Sequence, residues 1–314
     1  MIVWIIFIAL ILIFLALDLG VFNKTPHIIS SKEAGLWTAI WVTLSFTFSA
    51  IIYWLYANNL INNPTKISPI VASIKFITGY LIELSLSVDN IFIIAIIFSS
   101  FKIPLKYQHR VLFWGIIGAI IFRGLMIYLG VMLVNKFEWM TYLFGVFLIY
   151  TAVKMLFTGE QDDFEPKDSK VFKLINKIIP VSNEINSEHF FIKQNLKTFV
   201  TPLFVALIVI EVMDMIFALD SVPAILAITS DPFLVFSSNI FAILGLRSMY
   251  FFLANMLERF SYLEYSLIAI LTFVGSKMLI HHYIEIPEWI SLTFIAVSLT
   301  AGIFYSLYVD KKKV

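Results

Sequence analysis

The sequence predicts an all-α, multi-pass membrane protein of about nine transmembrane helices, and three observations predict it. Apolar runs of about 20 residues, the length that crosses a hydrocarbon core of roughly 30 Å as a helix, recur along all 314 residues. The chain is 60% hydrophobic and only 14% charged, with a mean hydropathy of +0.92, where a soluble domain carries about 25% charged residues. Lys and Arg gather in alternate loops, as the positive-inside rule requires. This composition excludes a soluble globular enzyme. A formal net charge of +1 offers nucleic acid no basic surplus, and the absence of cysteine excludes disulfides, zinc–thiolate sites and thiol redox chemistry.

Taken in order, the first apolar window, about 2–22, has no Lys or Arg before Lys24 and no small-residue cleavage pattern, so it reads as a retained span rather than a signal peptide. Together with a span at about 36–57 it makes residues 1–68 a pair of peripheral helices, closed by Asn62-Asn63-Pro64. Spans at about 69–100, 111–134 and 139–157 form a first unit, 69–157. Residues 158–198 are the only long loop and mix six Lys with seven acidic residues, as a cytoplasmic linker does; Val171, Leu174, Ile175 and Ile178 recur at the spacing of a surface amphipathic helix. Spans at about 199–229, 233–257 and 263–281, with a boundary at Asp231-Pro232, form a second unit, 199–282. Residues 283–314 add a last span, about 288–308, and the basic tail Lys311-Lys312-Lys313. Fifteen of the 22 basic residues fall in the odd loops and the tail and two in the even loops, which sets the N-terminus outside and the C-terminus in the cytoplasm.

The two three-helix units repeat one pattern. The third helix carries Glu83 and, six residues on, Asp89-Asn90; the sixth carries Asp214 and, six residues on, Asp220-Ser221. The fourth and seventh helices hold one arginine each, Arg123 and Arg247, and the fifth and eighth one lysine before methionine, Lys154-Met155 and Lys277-Met278. Because each unit has three spans, the second is expected to be inverted relative to the first. Inverted repeats with ligand groups near the midplane are the architecture of secondary transporters. A duplication kept only for packing is the bland alternative.

Asp18, Glu83, Asp89, Glu211, Asp214 and Asp220 lie inside apolar spans, where each charge opposes insertion by roughly 2.5–3.5 kcal/mol near the midplane and needs a partner, a proton or a bound cation. Arg123, Arg247, Lys154 and Lys277 are counter-charges or gates, with Lys75 set aside as interfacial, and the six acids exceed them by two negative charges. That surplus matches a divalent cation or shared protons. All five histidines sit in loops or at helix ends, so the midplane ligands are oxygens: the acids above with Asn90 and Ser221. Such donors suit Mg²⁺, Ca²⁺ and Mn²⁺, and the thioethers of Met213 and Met215 favour Mn²⁺ slightly, although methionines on membrane helices usually just pack. Six residues on an unbroken helix set Glu83 about 120° from Asp89, and Asp214 the same from Asp220. Pro223 is therefore expected to kink the sixth helix and free carbonyls near Asp220 and Ser221.

These residues carry a resemblance. The stretch Gly79-Tyr-Leu-Ile-Glu83-Leu-Ser-Leu-Ser-Val-Asp89-Asn90, with Glu211-Val-Met-Asp214-Met-Ile-Phe-Ala-Leu-Asp220-Ser221-Val-Pro223 and Leu244-Gly-Leu-Arg247-Ser-Met-Tyr250, resembles the TerC family of integral membrane proteins, and within it the Alx subgroup. The likeness runs from Leu17-Asp18-Leu through Ser187-Glu188-His189 to Lys277-Met278-Leu279. It implies a multi-pass protein of the bacterial inner membrane, in a superfamily related to LysE-type exporters, that lowers cytoplasmic Mn²⁺, its substrate. The family's metal-associated acids map onto Asp18, Glu83, Asp89, Glu211, Asp214 and Asp220. Leu84 stands where similar sequences can carry lysine, which removes a charge beside Glu83.

The function expected is export of Mn²⁺ by alternating access at a midplane carboxylate site, driven by the membrane potential or by proton exchange. The competing reading, also carried by the family resemblance, is a membrane assembly factor that delivers Mn²⁺ to exported proteins. No phosphate-binding Gly-rich loop, His-Glu-x-x-His or Gly-x-Ser-x-Gly sequence occurs, so no enzyme is expected. Lipid, a divalent ion and protons are the expected partners. No nucleic acid is expected, and the sequence identifies no protein partner.

Overall fold

The structure, a computed structural model, describes residues 2–17, 29–63, 66–137, 139–158, 181–182, 189–194, 197–253, 263–281, 283–284 and 286–313. Among them are nine α-helices: α1 Ile2–Leu17, α2 Ser31–Ala57, α3 Pro69–Ser100, α4 Leu105–Lys136, α5 Trp139–Thr158, α6 Pro202–Leu226, α7 Pro232–Leu253, α8 Leu263–Ile280 and α9 Glu288–Lys313. Eight are long and apolar enough to cross a membrane, and α1 is a shorter apolar helix of 16 residues. The all-α polytopic reading holds. Asp18, the amphipathic segment at 171–178 and Ser187-Glu188 lie outside the described residues.

Local chemistry starts the helices where the sequence marks them. Ser30 caps α2, accepting a hydrogen bond from the Glu33 amide at 3.2 Å. Pro69, Pro202 and Pro232 stand at the first position of α3, α6 and α7, where a missing N–H costs nothing. Asp231 caps α7 by accepting from the amides of Phe233 (2.9 Å) and Leu234 (3.2 Å), and its other carboxylate oxygen accepts from the Tyr56 hydroxyl at 2.7 Å, tying α2 to α7.

Boundaries differ from the sequence reading at several places, among them α2, which begins at Ser31 rather than near 36, and α9, which runs to Lys313 rather than 308. Helix α4 begins at Leu105 rather than near 111, so Lys106 and Arg110 lie on it. Residues 199–200 are not helical. They close a hairpin, β1 Phe191–Gln194 antiparallel to β2 Lys197–Val200, with Phe191 opposite Val200. The reason is local: Thr201 and Pro202 end the strand and open α6, and the rings of Phe190 and Phe191 pack on Phe204, at centroid separations of 6.2 and 4.8 Å.

Contact order along each pair of helices gives their directions. On α4, Gly115, Arg123 and Gly130 meet Ile210, Asp214 and Leu226 of α6 in rising order, so these helices are parallel. On α5, Gly145 meets Leu279 while Ile149 meets Gly275, so α5 and α8 are antiparallel. Short turns reverse the chain between α3 and α4, α4 and α5, and α6 and α7. Hence α3 and α6, α4 and α7, and α5 and α8 run in opposite directions. The packing is reciprocal: α3 lies on α7 and α4 on α6, α5 lies on α8, and α3 meets α6. At the α5–α8 crossing a Cβ on Gly275 would stand 2.9 Å from the Gly145 carbonyl oxygen, so the backbones touch. Helix α7 is the most enclosed, with 89% of its most apolar window buried.

Candidate metal centre

The polar groups that meet in the interior come from four helices. Glu83 of α3 is fully buried. One of its oxygens accepts from Asn239 Nδ2 of α7 at 2.9 Å, and the other pairs with Arg123 of α4. Arg123, 1% exposed, donates from Nε to Asp214 Oδ2 at 3.1 Å, from Nη2 to Asp214 Oδ1 at 2.6 Å and from Nη1 to Ser221 Oγ at 3.4 Å. Asp214 and Ser221 face it together because seven residues are close to two helical turns. The guanidinium is planar with donors fixed in a fork, which lets one arginine grip Asp214 with two bonds and still reach a second acid. A buried charge triad of this kind holds only because its members are hydrogen-bonded on several sides.

Beside the triad, between α3, α4 and α6, lies a cavity of about 30 Å³. Asn90, Met213, Asp214 and Glu211 line it, among apolar side chains including Ile94, Ile116 and Leu246. Glu211 Oε2 and Asn90 Oδ1 are buried without a hydrogen-bond partner. Orphaned buried oxygens are costly, so each calls for a ligand. Roughly 10–15 Å³ accommodates a water, so the space fits one small ion with one or two waters. Glu211 sits three residues before Asp214, on the same face of α6. Its carboxylate lies flat against Gly118 of α4: any Cβ there would run into it. On α3, Glu83, Ser87 and Asn90 share a face, and the Ser87 hydroxyl is likewise buried without a partner.

The remaining sequence-predicted residues divide. Asp220, turned away from Asp214 as the six-residue spacing requires, accepts from Thr151 Oγ1 of α5 at 3.0 Å and has Lys154 within electrostatic reach. It does not line the cavity. Asp89 lies within α3, and its side chain is outside the described residues. Helix α6 continues as helix through Pro223 to Leu226, and α3 runs unbroken past Asn90. Arg247 is buried in α7. Lys277 does not reach a midplane acid. It donates to Glu288 Oε2 at 2.9 Å and Ser291 Oγ at 3.0 Å of α9, and Lys75 of α3 stands 3.5 Å from Glu288 Oε1. Among the described residues no three His, Asp or Glu side chains form a metal cage; the cavity brings together two carboxylates, an amide oxygen and a thioether. Sequence reasoning passes over Asn239, Thr151, Ser87 and Gly118 as members of the site. Only Asn239 carries a signal, since Ser237-Ser238-Asn239 is a polar run inside an apolar span.

Comparison with known proteins shows the family. A family model described as "Integral membrane protein TerC family" matches residues 70–314. The chain is 47% identical over 304 residues to "Uncharacterized membrane protein STKORF319" of Myxococcus xanthus, covering 97% of this chain and 91% of that one. It is also 47% identical over 304 residues to an "Uncharacterized membrane protein" of Rickettsia bellii, covering 97% and 96%. Its identity to "Putative membrane-bound redox modulator Alx" of Escherichia coli K12 is 43% over 287 residues, covering 91% and 88%. No solved structure matches the chain. On the family model and these near full-length relatives, the chain belongs to the TerC family of integral membrane proteins.

Proposed function

We propose that this chain is a secondary transporter that exports Mn²⁺ from the bacterial cytoplasm by alternating access, with 69–157 and 199–282 as inverted units and the N-terminus outside. One observation carries the reading: a small cavity at the crossing of α3, α4 and α6 whose polar lining consists of uncommitted oxygens, Glu211 Oε2 and Asn90 Oδ1, beside Asp214. Hard and borderline divalent cations take such donors, and the Met213 thioether beside them suits Mn²⁺ better than Ca²⁺ or Mg²⁺. The opposed directions of α3 and α6, α4 and α7, and α5 and α8 support the inverted-repeat arrangement, in which one unit rocks against the other. Protons are a second candidate for the return half-cycle, carried by the same carboxylates. A relative's name speaks of redox modulation; this chain has no cysteine with which to run a thiol–disulfide couple.

The test is Mn²⁺ flux into proteoliposomes holding only the purified chain, with Glu211→Gln, Asp89→Asn and Asp220→Asn as variants and Ca²⁺ and Mg²⁺ as competitors. Saturable flux in the wild type, abolished in Glu211→Gln, supports the reading. Tight Mn²⁺ binding without flux favours the assembly-factor alternative, and absence of both removes Mn²⁺ from the account.

A further inference from the structure

Asp214 belongs to two arrangements at once. Arg123 holds both of its carboxylate oxygens, at 3.1 and 2.6 Å, and the same residue lines the cavity with Glu211 and Asn90. A divalent cation drawn to Glu211 Oε2 and Asn90 Oδ1 gains Asp214 as a further ligand only where the guanidinium gives it up, because two cations on one carboxylate repel strongly in a medium of low dielectric. The charges fit such an exchange. Glu83, Asp214 and Glu211 against Arg123 leave two formal negative charges, which one divalent cation cancels. Arg123 also has somewhere to stay when it leaves Asp214, since Glu83 is a second acid within its grasp and Asn239 holds Glu83 in place at 2.9 Å.

Resting on the transporter reading above, we propose that Arg123 is a tethered counter-ion that alternates with the transported divalent cation on Asp214. With Arg123 on Asp214, α4 is clamped to α6 and the acid is neutralised without cargo, so the protein can change its facing while empty. With the cation on Asp214, Arg123 retreats to Glu83 and the clamp between α4 and α6 opens. The arginine thus makes release of the ion favourable and the empty return step fast.

The consequence separates two measurements that a fixed ion pair would leave together. Purified full-length protein in liposomes is assayed for net Mn²⁺ flux down a gradient and for tracer Mn²⁺ exchange at equal Mn²⁺ on both sides, as wild type, as Arg123→Gln, and as Glu83→Gln combined with Arg123→Gln. The combined variant removes one charge of each sign, so it keeps the test open should the single variant fail to fold. Without the tethered cation, net flux is expected to fall about 10-fold or more, equilibrium Mn²⁺ binding to tighten about 10-fold, and exchange to stay within about 2-fold of wild type. Net flux and exchange falling together, or Mn²⁺ binding that is unchanged or weaker, would make Arg123 a fixed strut and overturn the proposal. The wild type keeps the two readings apart. Mn²⁺ binding without any wild-type flux ends the transporter reading, while the binding comparison still decides whether Arg123 and Mn²⁺ compete; absence of both ends both.

Discussion

The Arg123 cluster and the Lys277 cluster use the same materials in different surroundings. Each has a buried base, 1% exposed for Arg123 and 4% for Lys277, joined to a carboxylate and a serine hydroxyl from another helix. Lys277 grips Glu288 and Ser291 of α9, Lys75 of α3 closes the same carboxylate, and neither Lys277 nor Glu288 lines the cavity between α3, α4 and α6. Arg123 grips Asp214, and on the other side of Asp214 lies that cavity with two uncommitted oxygens. On the transporter reading proposed above, the difference is that between an ion pair whose neighbours are filled, which acts as a fastener, and one beside a space that a ligand can enter, which acts as a working part. In hydrocarbon, where apolar packing gives helices little net drive to associate, both roles rest on polar contacts of this kind.

Four substitutions press on that contrast, beginning with the largest effect. Asp214→Asn removes the residue shared by the triad and the cavity and leaves Arg123 with Glu83 alone; Mn²⁺ flux, measured in proteoliposomes, is expected to drop by about 100-fold, in line with the loss of one partner of a buried charge pair. Gly118→Ala adds a methyl group where the Glu211 carboxylate lies. Mn²⁺ affinity, read by calorimetry, should weaken by about 10-fold as Glu211 is pushed aside, an overpacking cost of about 1–3 kcal/mol; unchanged affinity would remove Glu211 from the ion's coordination. Lys277→Met should lower thermal stability in detergent by about 1–2 kcal/mol while flux per folded molecule stays within about 2-fold, because Lys75 still faces Glu288 and the cavity is untouched. A large loss of flux there would mean that both clusters are working parts. Thr151→Val, smallest of the four, deletes one hydrogen bond to Asp220 and should cost about 1 kcal/mol, visible as a small shift in unfolding temperature.

How far these clusters are legible in the sequence depends on the kind of interaction. Charges inside apolar spans announce themselves, so Glu83, Arg123, Glu211 and Asp214 stand out from the residue pattern alone, and the six-residue spacing correctly separates the directions of Asp214 and Asp220. Which charges meet is a property of helix packing. The repeat matches Lys277 to Lys154 and so points it at the midplane acids, yet its partner Glu288 sits only 11 residues on, across the turn into α9. Gly118 is invisible for another reason: a glycine in a membrane helix is ordinary until the neighbour that fills its missing side chain is known. The hairpin at 191–200 is hidden because a four-residue strand carries too little alternation to stand out beside a long apolar span. Pro223 marks a lost backbone donor in the sequence, and α6 stays helical through it to Leu226.

The contact between Gly145 and Gly275 bears on how such a bundle can move. Interlocked side chains resist rotation because each must climb out of the pocket made by its neighbours, and the cost is spread over every knob in the seam. At this crossing the two glycines let the backbones meet, a Cβ on Gly275 being held off by the Gly145 carbonyl at 2.9 Å, while the side chains of Leu279, Ile149 and Leu148 seat directly beside them. Helices this close, with side chains seated against both glycines, hold their separation and their register. The α5–α8 crossing therefore fixes the spacing of the two helices, and any bulk added at either glycine is a wedge between them.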